Sequence, residues 1–257
     1  MSSLTSIFHV ILYQPILNLF VALYNVIPGH DLGLVVIVVT ILIRLILYPI
    51  TASSINAQKS MQDMQPKLEA IRKQFADDKV KQNQAVMTLY KDHKINPLTS
   101  CLPMLIQLPI LLALFWALQD GLASKDLAQN LYSFVKNPGT LNPISFGFLN
   151  LGTPNIVLAV LSGAAQFVQA KMFIRKPVPK EAGTGGKDES MTNMMNKQML
   201  YFMPVMTILI GIKFPSGLTL YWFFGTALMA LQQWWILRNH SSNKKVAEGV
   251  IEGTIVK

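Results

Sequence analysis

The sequence predicts an all-α, polytopic membrane protein. It has five transmembrane helices, an N-terminal amphipathic helix at the membrane interface and a cytoplasmic helical hairpin. Three observations lead there. Only 14% of the 257 residues are charged, while 51% are hydrophobic and mean hydropathy is +0.38; a soluble domain carries about 25% charged residues. The apolar residues come in runs of about twenty, the length that crosses roughly 30 Å of hydrocarbon as a helix. The charges fall in the gaps between those runs. A soluble globular enzyme, a disordered chain and a disulfide scaffold are thereby excluded, and the single cysteine, Cys101, has no internal partner.

Residues 1–30 carry the amphipathic helix. Over 7–27, Gln14, Asn18 and Asn25 share one face, opposite Ile16, Leu19, Phe20 and Leu23, and Tyr13 and Tyr24 suit an interface. A helix lying on the membrane is expected, with a spanning helix as the alternative, and Pro28-Gly29 ends it. The first basic residue is Arg44, so no cleavable signal peptide is expected. The first span covers 31–53. Residues 54–98 form the hairpin, with Met64, Leu68, Ile71 and Phe75 on one helical stripe. Asp77-Asp78 makes the turn, and Val86, Leu89 and Tyr90 lie on the returning arm. The second span is 99–121, followed by an extracytoplasmic loop over 122–154. The third is 155–174. The cytoplasmic loop 175–198 is flexible in composition, with two prolines at 177 and 179 and three glycines over 183–186. The fourth span, 199–214, is short and carries Pro204. The fifth is 217–237, and 238–257 form a tail.

Orientation follows from lysine and arginine. Residues 53–100 hold eight, 175–198 five and the tail four, whereas 1–31 hold none and 122–154 only Lys125 and Lys136. By the positive-inside rule the N-terminus is outside and the C-terminus cytoplasmic, which requires an odd number of spans. The formal net charge of +9 is therefore a topological signal, and no direct nucleic-acid recognition is expected.

Arg44 stands near the middle of the first span, about nine residues from its cytoplasmic end, roughly 13 Å at 1.5 Å per residue. A charge there costs roughly 2.5–3.5 kcal/mol on insertion scales. No acidic residue lies in the core of any span, since Asp31 and Asp120 sit at outer ends. An unpaired guanidinium at that depth calls for a hydrated cavity. Polar stripes on other spans suggest its walls. Ser162, Gln166 and Gln169 share a face, Thr219, Trp222 and Thr226 share another with Gln233 beyond them, Thr40 is one turn from Arg44, and Gln107 lies in the second span. Interhelical hydrogen bonding is the plainer role of each polar residue taken singly.

Signatures of enzyme chemistry are missing. The four histidines lie in separate regions and there is no paired-carboxylate site, so neither metal nor cofactor is expected. The Gly183–Lys187 stretch fails as a phosphate loop, because Glu181 stands where glycine is needed and Asp188 follows the lysine.

Several stretches resemble the YidC family of membrane-protein insertases. They are 39–50 (VTILIRLILYPI), 64–68 (MQPKL), 89–91 (LYK), 95–98 (INPL), 101–110 (CLPMLIQLPI) and 214–222 (FPSGLTLYW), in order over roughly residues 10–238. The resemblance implies a bacterial cell membrane protein whose five-span core encloses a hydrophilic groove, open to the cytoplasm and to lipid. It places the groove arginine on Arg44, the groove glutamine on Gln169, the aromatic position of the last span on Trp222 with Tyr221 beside it, and a nascent-chain neighbour on Thr40. It implies nascent membrane proteins and the lipid bilayer as partners, with the ribosome, signal recognition machinery and the Sec translocon as further candidates, and it gives the hairpin the contacts with targeting machinery. The additional N-terminal span and large periplasmic domain of Gram-negative members, and the long basic tail of some relatives, have no counterpart in these residues. A post-insertion assembly chaperone, or a channel or transporter, would also need a polar cavity.

Overall fold

The computed structural model describes residues 3–93, 96, 99, 102–123, 127–173 and 198–254. Its regular structure is helical apart from one hairpin of two-residue strands. The protein is an all-α membrane protein. Among the described residues, 5–26 and 102–123 are each long and apolar enough to cross a bilayer, and a third span results if the bent pair described below counts as one.

Helix α1 (Ser3–Phe8) passes through a π-helical turn, His9–Tyr13, into α2 (Gln14–Val26). Pro15 cannot donate to the carbonyl a turn earlier, and the widened turn directly precedes it. Tyr13, Leu17 and Val21 of α2 and its approach pack on Ala113 and Ala117 of α7 (Leu102–Ala123). Those small residues let the two backbones come close. The polar stripe of α2 faces protein, where the amphipathic reading had it facing headgroups. Asn18 is 3% exposed. Its Nδ2 donates to the Asn130 carbonyl at 3.0 Å, and its Oδ1 accepts from the Tyr132 amide at 2.6 Å. Asn25 donates to the Lys136 carbonyl at 2.7 Å, and Tyr13 donates to Asp120. The stripe satisfies the irregular backbone after α8 (Leu127–Asn130), which has no ladder of its own.

Gly29 at φ +78° turns the chain into α3 (Leu32–Ile46). Asp31 caps α3 through Oδ1, which accepts from the amides of Gly33 (2.8 Å) and Leu34 (3.1 Å). Its Oδ2 accepts from the Phe146 amide at 2.6 Å. Phe146 lies in the turn between β1 (Ile144–Ser145) and β2 (Leu149–Asn150), an antiparallel pair. Gly33 is required here, because a Cβ would stand 2.6 Å from the Phe146 ring.

The span expected over 31–53 is broken. Helix α3 stops at Ile46, and α4 (Tyr48–Asp63) leaves at 65°. Pro49 lacks the amide that would serve the Leu45 carbonyl and its ring crowds it, so the helix bends at Leu47. Arg44 consequently lies in the last turn of α3, not nine residues from a helix end. Helix α4 also runs across the expected boundary at residue 54. A second proline, Pro66, starts α5 (Gln65–Gln74), which turns back into α6 (Lys79–Asp92). Met64 and Leu68 are buried on this hairpin's seam, and Gln82, also buried, donates to the Arg72 carbonyl at 3.2 Å.

Helix α9 (Ile156–Phe173), α10 (Met203–Gly211, entered through a π-helical segment Gln198–Phe202) and α11 (Ser216–Thr254) complete the bundle. Residues 174–197, which include most of the glycine- and proline-rich loop, lie outside the described residues. The main core joins Phe20, Val35 and Val39 to Leu114, Leu118 and Tyr221.

Two predictions follow from these contacts. Replacing Asn18 with leucine leaves the Tyr132 amide without its acceptor and should destabilise the protein by about 1–3 kcal/mol. Chemical unfolding of the detergent-solubilised protein measures this. Asp78 caps α6, and hydrogen bonds from the Lys81 amide, then its side chain, hold the Asp78 carboxyl below the usual carboxylate range. A lowered folded-state pKa gives a contribution fully present above the unfolded value of about 3.9 and lost as pH falls through the folded one. Amide exchange at Val80 and Lys81, divided by the intrinsic rate, should therefore rise on acidification in the native protein and stay flat in Asp78→Asn.

Candidate functional site around Arg44

The helix break sets the site. Arg44 leaves the last turn of α3 toward α11, and Gly225 gives it room. A Cβ on Gly225 would lie 3.0 Å from Arg44 Nη2, so the guanidinium rests against bare backbone. One turn along α11, Met229 Sδ accepts from Nη1 at 3.7 Å. Among the described residues no carboxylate pairs with Arg44. Its position near the C-terminal carbonyls of α3 supplies part of the missing negative charge, since that end of a helix carries about half an elementary charge.

Tyr221, one turn before Gly225, is buried and close enough to Arg44 to interact with it electrostatically. The Tyr221 hydroxyl accepts from Gln107 Nε2 of α7 at 2.5 Å. On the other side of the guanidinium, Gln232 Nε2 donates to the Tyr48 carbonyl (3.2 Å) and to Thr51 Oγ1 (2.8 Å). Gln232 thus ties α11 to the first turn of α4, just past the bend. Beside Arg44, Tyr48 and Gln232 opens a cavity of about 410 Å³. Its walls are Ile41, Leu45, Leu228, Leu231, Trp234 and Trp235, with Arg44, Tyr48 and Gln232 as the polar edge.

Of the polar residues singled out in the sequence only Arg44 lines this cavity; Gln107, Tyr221 and the others do not. Thr40 is buried and donates to the Val36 carbonyl of its own helix at 2.6 Å. Ser162 is buried against α11, donating to the carbonyls of Leu158 (2.9 Å) and Thr219 (3.3 Å). Thr219 reaches the Gly211 and Pro215 carbonyls, both at 3.4 Å. Gln166 accepts from Thr207 of α10, and the Gln169 carbonyl accepts from Gln233 Nε2 at 3.4 Å. Thr226 is buried, while Trp222 and the Gln169 side chain are half-buried. Helix α11 therefore works on two sides. Thr219 and Gln233 meet α9, whereas Tyr221, Gly225, Met229 and Gln232 meet α3, α4 or α7. Sequence reasoning missed Gly225, Met229, Thr51 and Gln232. The available signal was the four-residue spacing of Tyr221, Gly225 and Met229, which puts a gap in the helix surface between two bulky groups.

A helix pair bent beside Arg44, a guanidinium with no carboxylate partner among the described residues and an open apolar cavity next to it define the candidate site of this membrane protein. Comparison with known proteins shows its family. The family model described as 60Kd inner membrane protein matches residues 22–244, and the chain belongs to that family. A protein of Fusobacterium nucleatum subsp. nucleatum named membrane protein insertase YidC is 37% identical over 210 residues, covering 81% of this chain and 87% of the relative. Proteins of the same name from Legionella pneumophila (strain Corby) and Ectopseudomonas mendocina (strain ymp) are 36% identical over 227 residues and 34% over 236. Those matches cover 88% and 92% of this chain but 35% and 36% of the relatives. The chain thus spans about a third of the length of the latter two.

The guanidinium seat on Gly225 is testable. Gly225→Ala should be near neutral, because a gain of about 1 kcal/mol in helix propensity offsets a small displacement of a flexible side chain. Gly225→Leu should cost about 1–3 kcal/mol by overpacking. That cost should shrink in an Arg44→Ala background, where nothing occupies the space. Unfolding midpoints of the four variants give the coupling.

Proposed function

We propose that this protein inserts other membrane proteins, receiving the polar end of a client beside Arg44 and releasing its apolar helix sideways into lipid. One observation carries the reading: the cation in the bundle has no carboxylate partner among the described residues and borders an open cavity. An unpaired charge there is expensive. It becomes useful when an acidic client tail supplies the partner. Each polar group that a client drags through hydrocarbon costs several kcal/mol unless bonded, and Arg44 at the cavity edge offers such bonds part-way across. The client's helix then leaves for lipid as its apolar surface is buried.

In this proposal the five spans run 31–53, 99–121, 155–174, 199–214 and 217–237, with the N-terminus outside and the C-terminus cytoplasmic, as the loop charges support. The groove includes Arg44, Gln107 and Tyr221 at its centre, with Thr40, Ser162, Gln166, Gln169, Thr219, Trp222 and Thr226 in the surrounding helices. The 54–98 hairpin, held by a short seam, is the docking element for the ribosome, targeting machinery or the Sec translocon. The names of the relatives support the activity.

Purified protein in liposomes, given a single-span client with a short acidic translocated tail, tests this by protease protection. Insertion should occur without nucleotide. Arg44→Ala should lower it by about tenfold or more, the worth of a hydrogen bond to a charged group, and Arg44→Lys should retain most of it. Full insertion by Arg44→Ala would overturn the role of the charge. Binding of inserted clients without insertion would instead identify an assembly chaperone, and ion flux without clients a channel.

A further inference from the structure

The cavity beside Arg44 is mostly greasy. Its apolar walls are open to the outside of the protein: Leu45 is 63% exposed, Leu231 61%, Trp235 53% and Trp234 49%. In a bilayer this space is filled by something. Water needs two to four polar partners to settle in a cavity. Gln232 is already bonded to Thr51 and to the Tyr48 carbonyl, which leaves the polar partners at the Arg44 edge and none along the Leu45, Leu228, Leu231 and Trp235 walls. A hydrocarbon chain fits the walls, and the cation at the edge calls for an anion attached to that chain.

The rim fixes which side the ligand enters from. The Arg238 guanidinium stacks over the Trp234 ring at 5.3 Å, a cation and an aromatic of the kind that collect at headgroup level. Met229, which touches Arg44, precedes Trp234 by five residues and Arg238 by nine on one helix. At 1.5 Å per residue the guanidinium of Arg44 lies roughly 8–13 Å inward of that level.

We propose that the cavity is a binding site for one anionic phospholipid, with an acyl chain along Leu45, Leu228, Leu231 and Trp235 and its phosphate drawn to Arg44. The proposal rests on the same cation as the client route. The lipid is the resident anion, and an acidic client tail displaces it. A zwitterionic lipid offers the same chain without net charge and binds more weakly.

Tryptophan quenching by brominated lipid reads occupancy directly. The full chain carries four tryptophans, and Trp116→Phe with Trp222→Phe leaves only the two on the cavity. In nanodiscs of phosphatidylcholine, brominated phosphatidylglycerol should reach half-quenching at an about fivefold lower mole fraction than brominated phosphatidylcholine, the worth of one basic residue near an anionic lipid. Arg44→Gln should abolish the difference and Arg44→Lys preserve it. Equal quenching by the two lipids overturns the proposal. So does a preference that survives Arg44→Gln and disappears in Arg238→Ala, which would be surface charge alone. Native mass spectrometry of the unmutated protein, purified from an equal mixture of both lipids, needs no variant to fold. Preferential retention of phosphatidylglycerol is expected, and equal retention counts against the site. Insertion assays in pure phosphatidylcholine separate the two readings, because insertion with no lipid preference removes the lipid site alone, and lipid preference without insertion removes the client route alone.

Discussion

A missing amide hydrogen organises this molecule. Pro49 cannot serve the Leu45 carbonyl, so the first apolar run bends at Leu47, and the bend does three things together. It ends α3 two residues after Arg44, where helix carbonyls partly offset the charge. It swings α4 away at 65°, opening the space that becomes the cavity. It also exposes the Tyr48 carbonyl, which Gln232 then holds from α11. A straight helix through 31–53 would place Arg44 in mid-helix without the dipole, and the wall of the cavity would close. The arginine, the cavity and the α4–α11 tie are consequences of one backbone defect.

Polar groups elsewhere in the bundle follow a different logic. Ser162, Thr219 and Thr207 return their hydroxyls to helix carbonyls or to a neighbouring glutamine, which lets α9, α10 and α11 pack with few orphaned donors. Small residues finish that packing: the Cβ position of Gly211 is 2.9 Å from the Ala159 Cβ, and that of Gly163 2.5 Å from Ile208. Gln233 is an exception, as is Asn56 on α4, whose buried Oδ1 also has no partner. Gln233 is fully buried and its Oε1 has no partner, while its amide reaches across to the Gln169 carbonyl. Arg44 is thus set apart less by being polar than by being a full charge whose strongest contact is to a thioether.

The helical class was legible because apolar runs and charge gaps are bulk properties that survive any error in detail. Arg44 was legible for the same reason: one charge in a long apolar run has few explanations. Local breaks were harder to see. Tyr48-Pro49 sits inside a run whose hydropathy is continuous, and a window that averages over twenty residues hides a single absent N–H. The polar stripe of α2 was read correctly as a stripe, but amphipathicity identifies a face without saying what covers it, and here an irregular segment after α8 does. The gathering of Gly225 under Arg44 depends on which side of α11 meets α3, a matter of three-dimensional packing that spacing along one helix leaves open.

The 143–153 segment joins two helix beginnings that are far apart in sequence. Asp31 and Gly33 at the start of α3 bond Phe146 and Ser145, while Ser216 and Gly217 at the start of α11 bond the carbonyls of Thr153 and Leu151. These two helices are therefore bolted together at one end, and near the other a weak sulfur contact joins them, while Gln232 bonds α11 to α4 just past the bend. The same short segment fixes where α3 and α11 begin relative to each other, so the seat of Arg44 on Gly225 and Met229, further along both helices, is set from the opposite end of the bundle.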